Sequence, residues 1–397
     1  MTRRTVRRIL RRTRSHPSQG DRMPRRRRLV PLALVVPLAL LLSACASHAP
    51  QDTLDPKGPI SRQIDNLVNP VFLAAAAVFV IIEFGTLILV LKFRRRHDDD
   101  DLPAQTHGNT RLEIGWTVLP AVILAAVAVG TLSTLFNITS RDDEALTVRV
   151  EGQQWWWRFN YDTDGDGEYD DVITGTDLVI PAGVDVKLEI TSNDVIHSFW
   201  IPALNGKRDA VPGRMHELMI NASEPGTYVG QCTEFCGLSH AYMRQRAVAL
   251  PQDEFEEWLR HQEEPAEMPE DGTDAALGAE LFTSQCSICH LARGINDDEY
   301  EEQGGTTLVA GEAPNLTHFM TRGAFAGGTF PLWLDQDGDR IVEADEIGGE
   351  LNRGQLEAWL RDPPGQKPMA PRGRGMPNLQ LQEQQIDQLV AFLETLD

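Results

Sequence analysis

Two apolar stretches dominate the pattern of this chain, Val71 to Leu91 and Trp116 to Leu135. Each approaches the ~20 residues that cross a bilayer, so the pattern predicts a transmembrane helical hairpin over 70–136. A shorter apolar run, Leu29 to Leu42, follows the basic cluster Arg25 to Arg28, which is the layout of an export signal over 1–44. Beyond the hairpin the period changes. Val184, Val186, Leu188 and Ile190 alternate with Asp185, Lys187 and Glu189, the period of a half-buried strand. Leu146 to Val150, Leu178 to Ile180, Glu217 to Ile220 and Arg246 to Leu250 are further β-rich runs, punctuated by Gly and Pro. They predict an antiparallel sandwich or barrel over 145–260, closed by a helix from Asp253 to His261. Residues 261–273 read as an acidic linker containing Pro265 and Pro269. A helical domain follows over 274–397, with helices at Ala276 to Phe282 and Leu356 to Leu360. It ends on the stripe Ile386, Leu389, Val390, Leu393, whose spacing is that of a packed helix. No repeat organises the chain.

Charge orients these elements. Lys92, Arg94, Arg95, Arg96 and Arg111 lie between the two spans, and the positive-inside rule puts that loop in the cytoplasm and both long ends outside. Glu83, the one charge in the first span, is costly in lipid and is expected to face a neighbouring protein. The first 44 residues carry twelve Arg and one acid, Asp21, so the rest of the chain carries −32 of the formal net −21. So acidic a body repels nucleic acid and suits a cationic partner or plain solubility. Leu42-Ser43-Ala44-Cys45 resembles a bacterial lipobox, which implies a lipidated Cys45 heading an extracytoplasmic segment over 45–69; an ordinary signal peptide with an incidental Cys is the alternative. Met23 is a second candidate start.

The five cysteines are Cys45, Cys232, Cys236, Cys286 and Cys289, an odd number that argues against a disulfide framework. Cys232, Cys236, His240 and Met243 fall within twelve residues. Soft sulfur with imidazole suits copper, and a weak Met ligand is typical of copper electron carriers. Two Cys separated by three residues are able to bridge two copper ions, and His197, closing a strand, is the candidate second imidazole. A structural zinc site is one alternative, although zinc has no use for Met243; a Cys232–Cys236 disulfide is another.

The run Cys232-Thr233-Glu234-Phe235-Cys236-Gly237-Leu238-Ser239-His240-Ala241-Tyr242-Met243, with His197 and Lys207 to Arg214, resembles the dinuclear copper-A domain of cytochrome c oxidase subunit II over about residues 60–260. The resemblance implies a cupredoxin-like Greek-key β-barrel. It also implies bridging by Cys232 and Cys236, one copper capped by His197 and one by His240, and Met243 as a weak axial ligand. Glu234 would offer its carbonyl, with its carboxylate toward the catalytic subunit. Trp155 takes the place of the Trp at the electron-accepting surface, with Trp156 where a Tyr is common. Glu113, in Leu112-Glu113-Ile114-Gly115-Trp116, takes the place of a residue at the cytoplasmic mouth of a proton path; a solvated interfacial carboxylate is the alternative.

Cys286-Ser287-Ile288-Cys289-His290 is the attachment signature of c-type haem, with His290 as proximal ligand. Gly278 and Phe282 precede it, and the region 274–397 is similar to an all-α monohaem cytochrome c domain. Met376, just before the last helix, is the favoured sixth ligand; Met369, Met320 and His318 are rivals. Two acidic loops, Asp162 to Gly167 and Asp335 to Glu346, partly match calcium loops, but Arg340 stands where a Gly is usual and solvated turns are the plainer reading.

The resemblance implies an electron conduit. A cytochrome or a cytochrome bc complex would reduce the haem c of this chain. Electrons would then pass through copper A to oxidase subunit I, where, outside this chain, oxygen is reduced and protons are pumped, with subunit III in the same membrane complex. A quinol oxidase subunit lacks the copper ligands, a nitrous oxide reductase lacks this anchor and cytochrome, and a copper-delivery lipoprotein has no need of haem.

Overall fold

The computed structural model describes residues 49–94, 105, 107–139, 145–169, 172–296, 313–335, 341–369 and 374–397. Cys45, the export segment 1–44 and residues 336–340 of the second acidic loop lie outside the described residues. Two helices come first, α1 (Pro59–Lys92) and α2 (Thr110–Ile138). Their apolar side chains are bare: Phe72, Leu73, Ile81, Leu119 and Leu124 are all exposed, as lipid-facing residues are in an isolated chain. Pro70 and Pro120 lie within them, each removing one backbone hydrogen bond. The Asn109 side chain caps α2 by accepting from the Arg111 and Leu112 amides.

α1 begins twelve residues before the apolar stretch. Its first turn docks on the β-domain: Ser61 Oγ donates to the Ala203 carbonyl at 2.7 Å, and Ile60 and Ser61 are buried. Lys57 N donates to the Ala203 carbonyl as well, and Ser223 N donates to the Lys57 carbonyl.

The β-domain has ten strands: β1 (Leu146–Gln153), β2 (Trp156–Asp162), β3 (Val172–Gly175), β4 (Asp177–Pro181), β5 (Val186–Ser192), β6 (His197–Phe199), β7 (Arg208–Ala210), β8 (His216–Ile220), β9 (Gly226–Gln231) and β10 (Arg244–Leu250). One sheet has the order β3-β2-β1-β5-β8 and a second the order β4-β10-β9, while β6 and β7 pair separately. Most neighbours are antiparallel, as the pattern predicts, but β1 runs parallel to β5 and β4 parallel to β10. The chain crosses from one sheet to the other between those strands, and a crossing returns it in the same direction. Val148, Val150, Phe159, Leu188 and Ile190 of the first sheet pack on Leu178, Ile180, Ala247 and Ala249 of the second. Tyr161 pins the sheets together, its hydroxyl donating to the Val179 carbonyl and accepting from the Val179 amide, both at 2.9 Å. Helix α3 (Gln252–Gln262) covers the outer face of the second sheet, with Phe255 packed on Val179 and Val248.

The C-terminal region contains α4 (Asp274–Gln285), α5 (Arg353–Arg361), α6 (Pro363–Gln366) and α7 (Glu383–Leu393), with a short ladder between β11 (Ala324–Phe325) and β12 (Phe330–Pro331). The terminal stripe is buried as its period predicts: Ile386, Leu389, Val390 and Leu393, with Phe392, pack on Ala279 and Phe282 of α4. The two helices meet at Gly278, where a Cβ would stand 2.1 Å from the Gln388 carbonyl oxygen. Gly278→Ala is therefore expected to force the helices apart and to cost about 3 kcal/mol, the upper part of the usual overpacking range, read as a lower unfolding midpoint in urea.

A buried seam joins this region to the β-domain. Arg246 of β10 pairs with Asp177 of β4 at 3.1 Å, with both side chains almost wholly buried. The second Asp177 oxygen accepts from the Gly323 amide at 2.8 Å, and Arg246 donates to the Val342 carbonyl at 2.9 Å. The Thr227 amide donates to Glu343 at 2.8 Å, and the Arg244 amide to the Gly327 carbonyl at 2.9 Å.

Candidate metal centre and adjoining cavity

Two connections at one end of the β-sandwich, β5–β6 and β9–β10, converge on a sulfur and imidazole cluster. Cys232 follows β9, Cys236 and His240 lie in the loop to β10, and His197 opens β6. The two thiols are free, with sulfurs 3.9 Å apart. His197 Nδ1 stands 4.0 Å from the Cys232 sulfur, and His240 Nδ1 stands 3.5 Å from the Cys236 sulfur. Met243 Sδ lies 3.9 Å from the Cys236 sulfur, and the Glu234 carbonyl oxygen lies 3.3 Å from the Cys232 sulfur. The donors thus form a row, His197–Cys232–Cys236–His240, with Met243 beside one thiol and the Glu234 carbonyl beside the other. Every residue that the sequence assigned to copper is brought into this row.

The row fits copper as a donor set. Five side-chain donors exceed the four of a tetrahedral zinc site, and a thioether is a soft ligand. The free nitrogen of His197 is held from behind, Nε2 lying 2.8 Å from the Asp194 carboxylate. Such a carboxylate fixes the tautomer and ring direction of a metal-binding imidazole. Burial opposes the charged form of His197, yet the Asp194 carboxylate and the Cys232 thiol hold its pKa above the ordinary value. The hydrogen bond between the thiols eases ionisation of Cys232 and, with burial, opposes that of Cys236. The pair readily holds one negative charge, and a second calls for the nearby positive charge that a metal supplies.

Trp155 was expected at an open surface. It is only 3% exposed because the C-terminal region covers it. Its indole Nε1 donates to the Cys236 carbonyl at 3.0 Å, and Gln154 Nε2 donates to the same oxygen at 2.6 Å. Trp155 and Trp156 form part of the wall of a cavity of about 340 Å³, within the size range of cofactor sites.

Cys286, Cys289, His290, Met369 and Met376 line that same cavity. His290 Nδ1 is 2.8 Å from the Pro314 carbonyl, leaving Nε2 available. Burial, with help from the Arg322 guanidinium, holds His290 below its usual pKa and so neutral, the state in which it ligates iron. Two rivals for the sixth position are occupied elsewhere. Both ring nitrogens of His318 engage backbone carbonyls, of Asp397 and Glu264. Met320 packs in the helical core and borders a different groove. The donor set and the apolar lining, with Phe282, Leu316, Phe325 and Leu389, fit a covalently held haem.

Glu113 is exposed in the first turn of α2, far in sequence from these loops. Asp162, Asp164 and Asp166 gather their carboxylates in an exposed turn. Sequence reasoning missed Asp194, Gln154, Lys367 and the Asp177–Arg246 pair. Only Asp194 carried a local signal, three residues before His197.

Fold and site together define a two-pass membrane protein whose extracytoplasmic cupredoxin-like domain holds a cluster of metal-binding composition. Residues 47–134 match the transmembrane domain of cytochrome c oxidase subunit II, and residues 146–249 match its periplasmic domain. The chain is 35% identical to cytochrome c oxidase subunit 2 of Alkalihalophilus pseudofirmus over 378 residues, covering 93% of this chain and 96% of that one. It is 31% identical to the corresponding subunit of Bacillus sp. (strain PS3), covering 76% of this chain and 79% of that one. The chain belongs to the cytochrome c oxidase subunit II family, and is a subunit of a haem–copper terminal oxidase.

Proposed function

We propose that this subunit delivers electrons from a cytochrome donor to the catalytic subunit I, which reduces oxygen to water and pumps protons. In this reading His197, Cys232, Cys236, His240, Met243 and the Glu234 carbonyl hold dinuclear copper A, and Cys286, Cys289, His290 and Met376 hold haem c. Bound there, the two groups supply reversible one-electron storage. The observation that carries the reading is the row of donors at 3.3–4.0 Å, each thiol with its own imidazole.

The chain's own residues account for the rest. Asp194 orients His197, and Gln154 and Trp155 fix the Cys236 backbone. Ligands held at the sandwich end by such hydrogen bonds move little, which keeps the cost of changing charge low. Phe235 and Leu238, flanking Cys236 in the same loop, are exposed, an apolar rim suited to a subunit I surface. Glu113 stands at the cytoplasmic end of α2, where a proton path in subunit I would open. Subunit III and a cytochrome bc complex complete the proposed partners, and a lipidated Cys45 would add a second anchor.

The test is the electron paramagnetic resonance spectrum of the oxidised full-length chain after copper loading and haem attachment. Hyperfine structure shared over two equivalent coppers, beside a low-spin haem signal, is expected. A single-copper spectrum, or none, would overturn the conduit and favour a copper-handling protein.

A further inference from the structure

The wall between the cavity and the cluster holds one unexplained charge. Lys367, just after α6, is 7% exposed. Its ammonium donates to the Trp155 carbonyl and to the Ala326 carbonyl, both at 2.7 Å. It makes no ion pair among the described residues. An ammonium buried against carbonyls alone is costly, and burial pushes its pKa down to about 7. Room for it is provided by Gly327, where a Cβ would stand 2.3 Å from the Trp155 oxygen and 2.7 Å from Lys367 Nζ.

The next residue holds a second segment beside the same cluster. Ser239, fully buried in the loop between Cys236 and His240, donates its hydroxyl to the Pro368 carbonyl. Lys367 and Pro368 therefore hold both loops that frame Cys236. One hold runs through Trp155, whose indole reaches the Cys236 carbonyl. The other runs through Ser239, one residue before His240. No other segment of the C-terminal region touches both loops through side-chain hydrogen bonds among the described residues.

We propose that Lys367 and Pro368 form a two-point clasp, with Lys367 as a positioning residue, by which the C-terminal domain sets the geometry of the copper loops. The cluster then takes its working form only with that domain docked. The inference rests on the copper and haem readings above.

The experiment compares the full-length, copper-loaded, haem-bearing chain with its Lys367→Met and Lys367→Arg variants. Methionine keeps the aliphatic stem and removes the donors; arginine keeps charge and donors. Lys367→Met is expected to leave the haem spectrum and the copper content as they were. Its near-infrared copper band should shift, and electron equilibration between haem and copper should slow roughly tenfold, the low end of what is lost with a group that orients a metal ligand. Lys367→Arg should recover much of both. A Lys367→Met chain with the parent copper band and the parent equilibration rate would overturn the clasp. Should that variant lose its haem, Ser239→Ala decides by the same copper band, shifted in support or unchanged against. A parent chain without a copper pair would instead sink the underlying function, whatever Lys367 does.

Discussion

Cys236→Ser is expected to empty the copper site. Cys236 is the crowded member of the row, with Cys232, His240 and Met243 all at 3.5–3.9 Å from its sulfur. A serine hydroxyl is a hard donor that stays protonated and does not bridge two soft metal ions. Losing a group that merely orients a ligand costs about 10–100-fold in affinity, so losing the proposed bridging ligand itself should cost well over 100-fold. The backbone should survive, because the Cys236 carbonyl is held by Trp155 and Gln154 and not by its own side chain. The measurement is copper per chain by atomic absorption, beside the circular dichroism of the β-domain. Two coppers retained in a folded Cys236→Ser chain would remove Cys236 from the site.

Asp177→Ala is expected to open the seam between the domains. It leaves the Arg246 guanidinium buried without its partner, a loss of about 3–5 kcal/mol. It also takes the acceptor from the Gly323 amide, adding about 1–3 kcal/mol if the gap stays dry. The double change Asp177→Leu with Arg246→Met removes both charges and should restore most of that stability. Limited proteolysis within 263–273 reads the opening, and urea denaturation reads the energy. A double variant as unstable as Asp177→Ala would show that the pair itself, rather than the stranded charge, holds the seam.

Chemistry that is local in the chain was legible in the sequence. The proposed copper donors lie in one twelve-residue run plus His197, and three of the four proposed haem donors in one pentapeptide. The terminal helix announced itself because only one of its faces is buried. Strands covered on both faces were harder to read. β4 is buried at all five positions, and β10 at five of seven, because α3 and the C-terminal region cover their outer sides. No alternation survives there. β2 was absent from the β-rich runs read in the sequence, and five of its seven residues are buried. The covering of Trp155 left no trace in its own segment. It depends on Lys367, more than two hundred positions away, and on a glycine that lets two backbones approach. Contacts of that range carry no period and no spacing.

The early start of α1 fixes more than an anchor. Its first turn is bonded to the β-domain at Ser61, and its lipid-facing stretch begins near Val71. Ten residues of helix at 1.5 Å each make a strut of about 15 Å between them. The strut sets azimuth as well as height. One residue inserted between 62 and 69 would raise the copper domain by only ~1.5 Å but turn it about the helix axis by about 100°, a full change of which side faces the neighbouring subunit. Strut length is thus held by direction far more tightly than by distance.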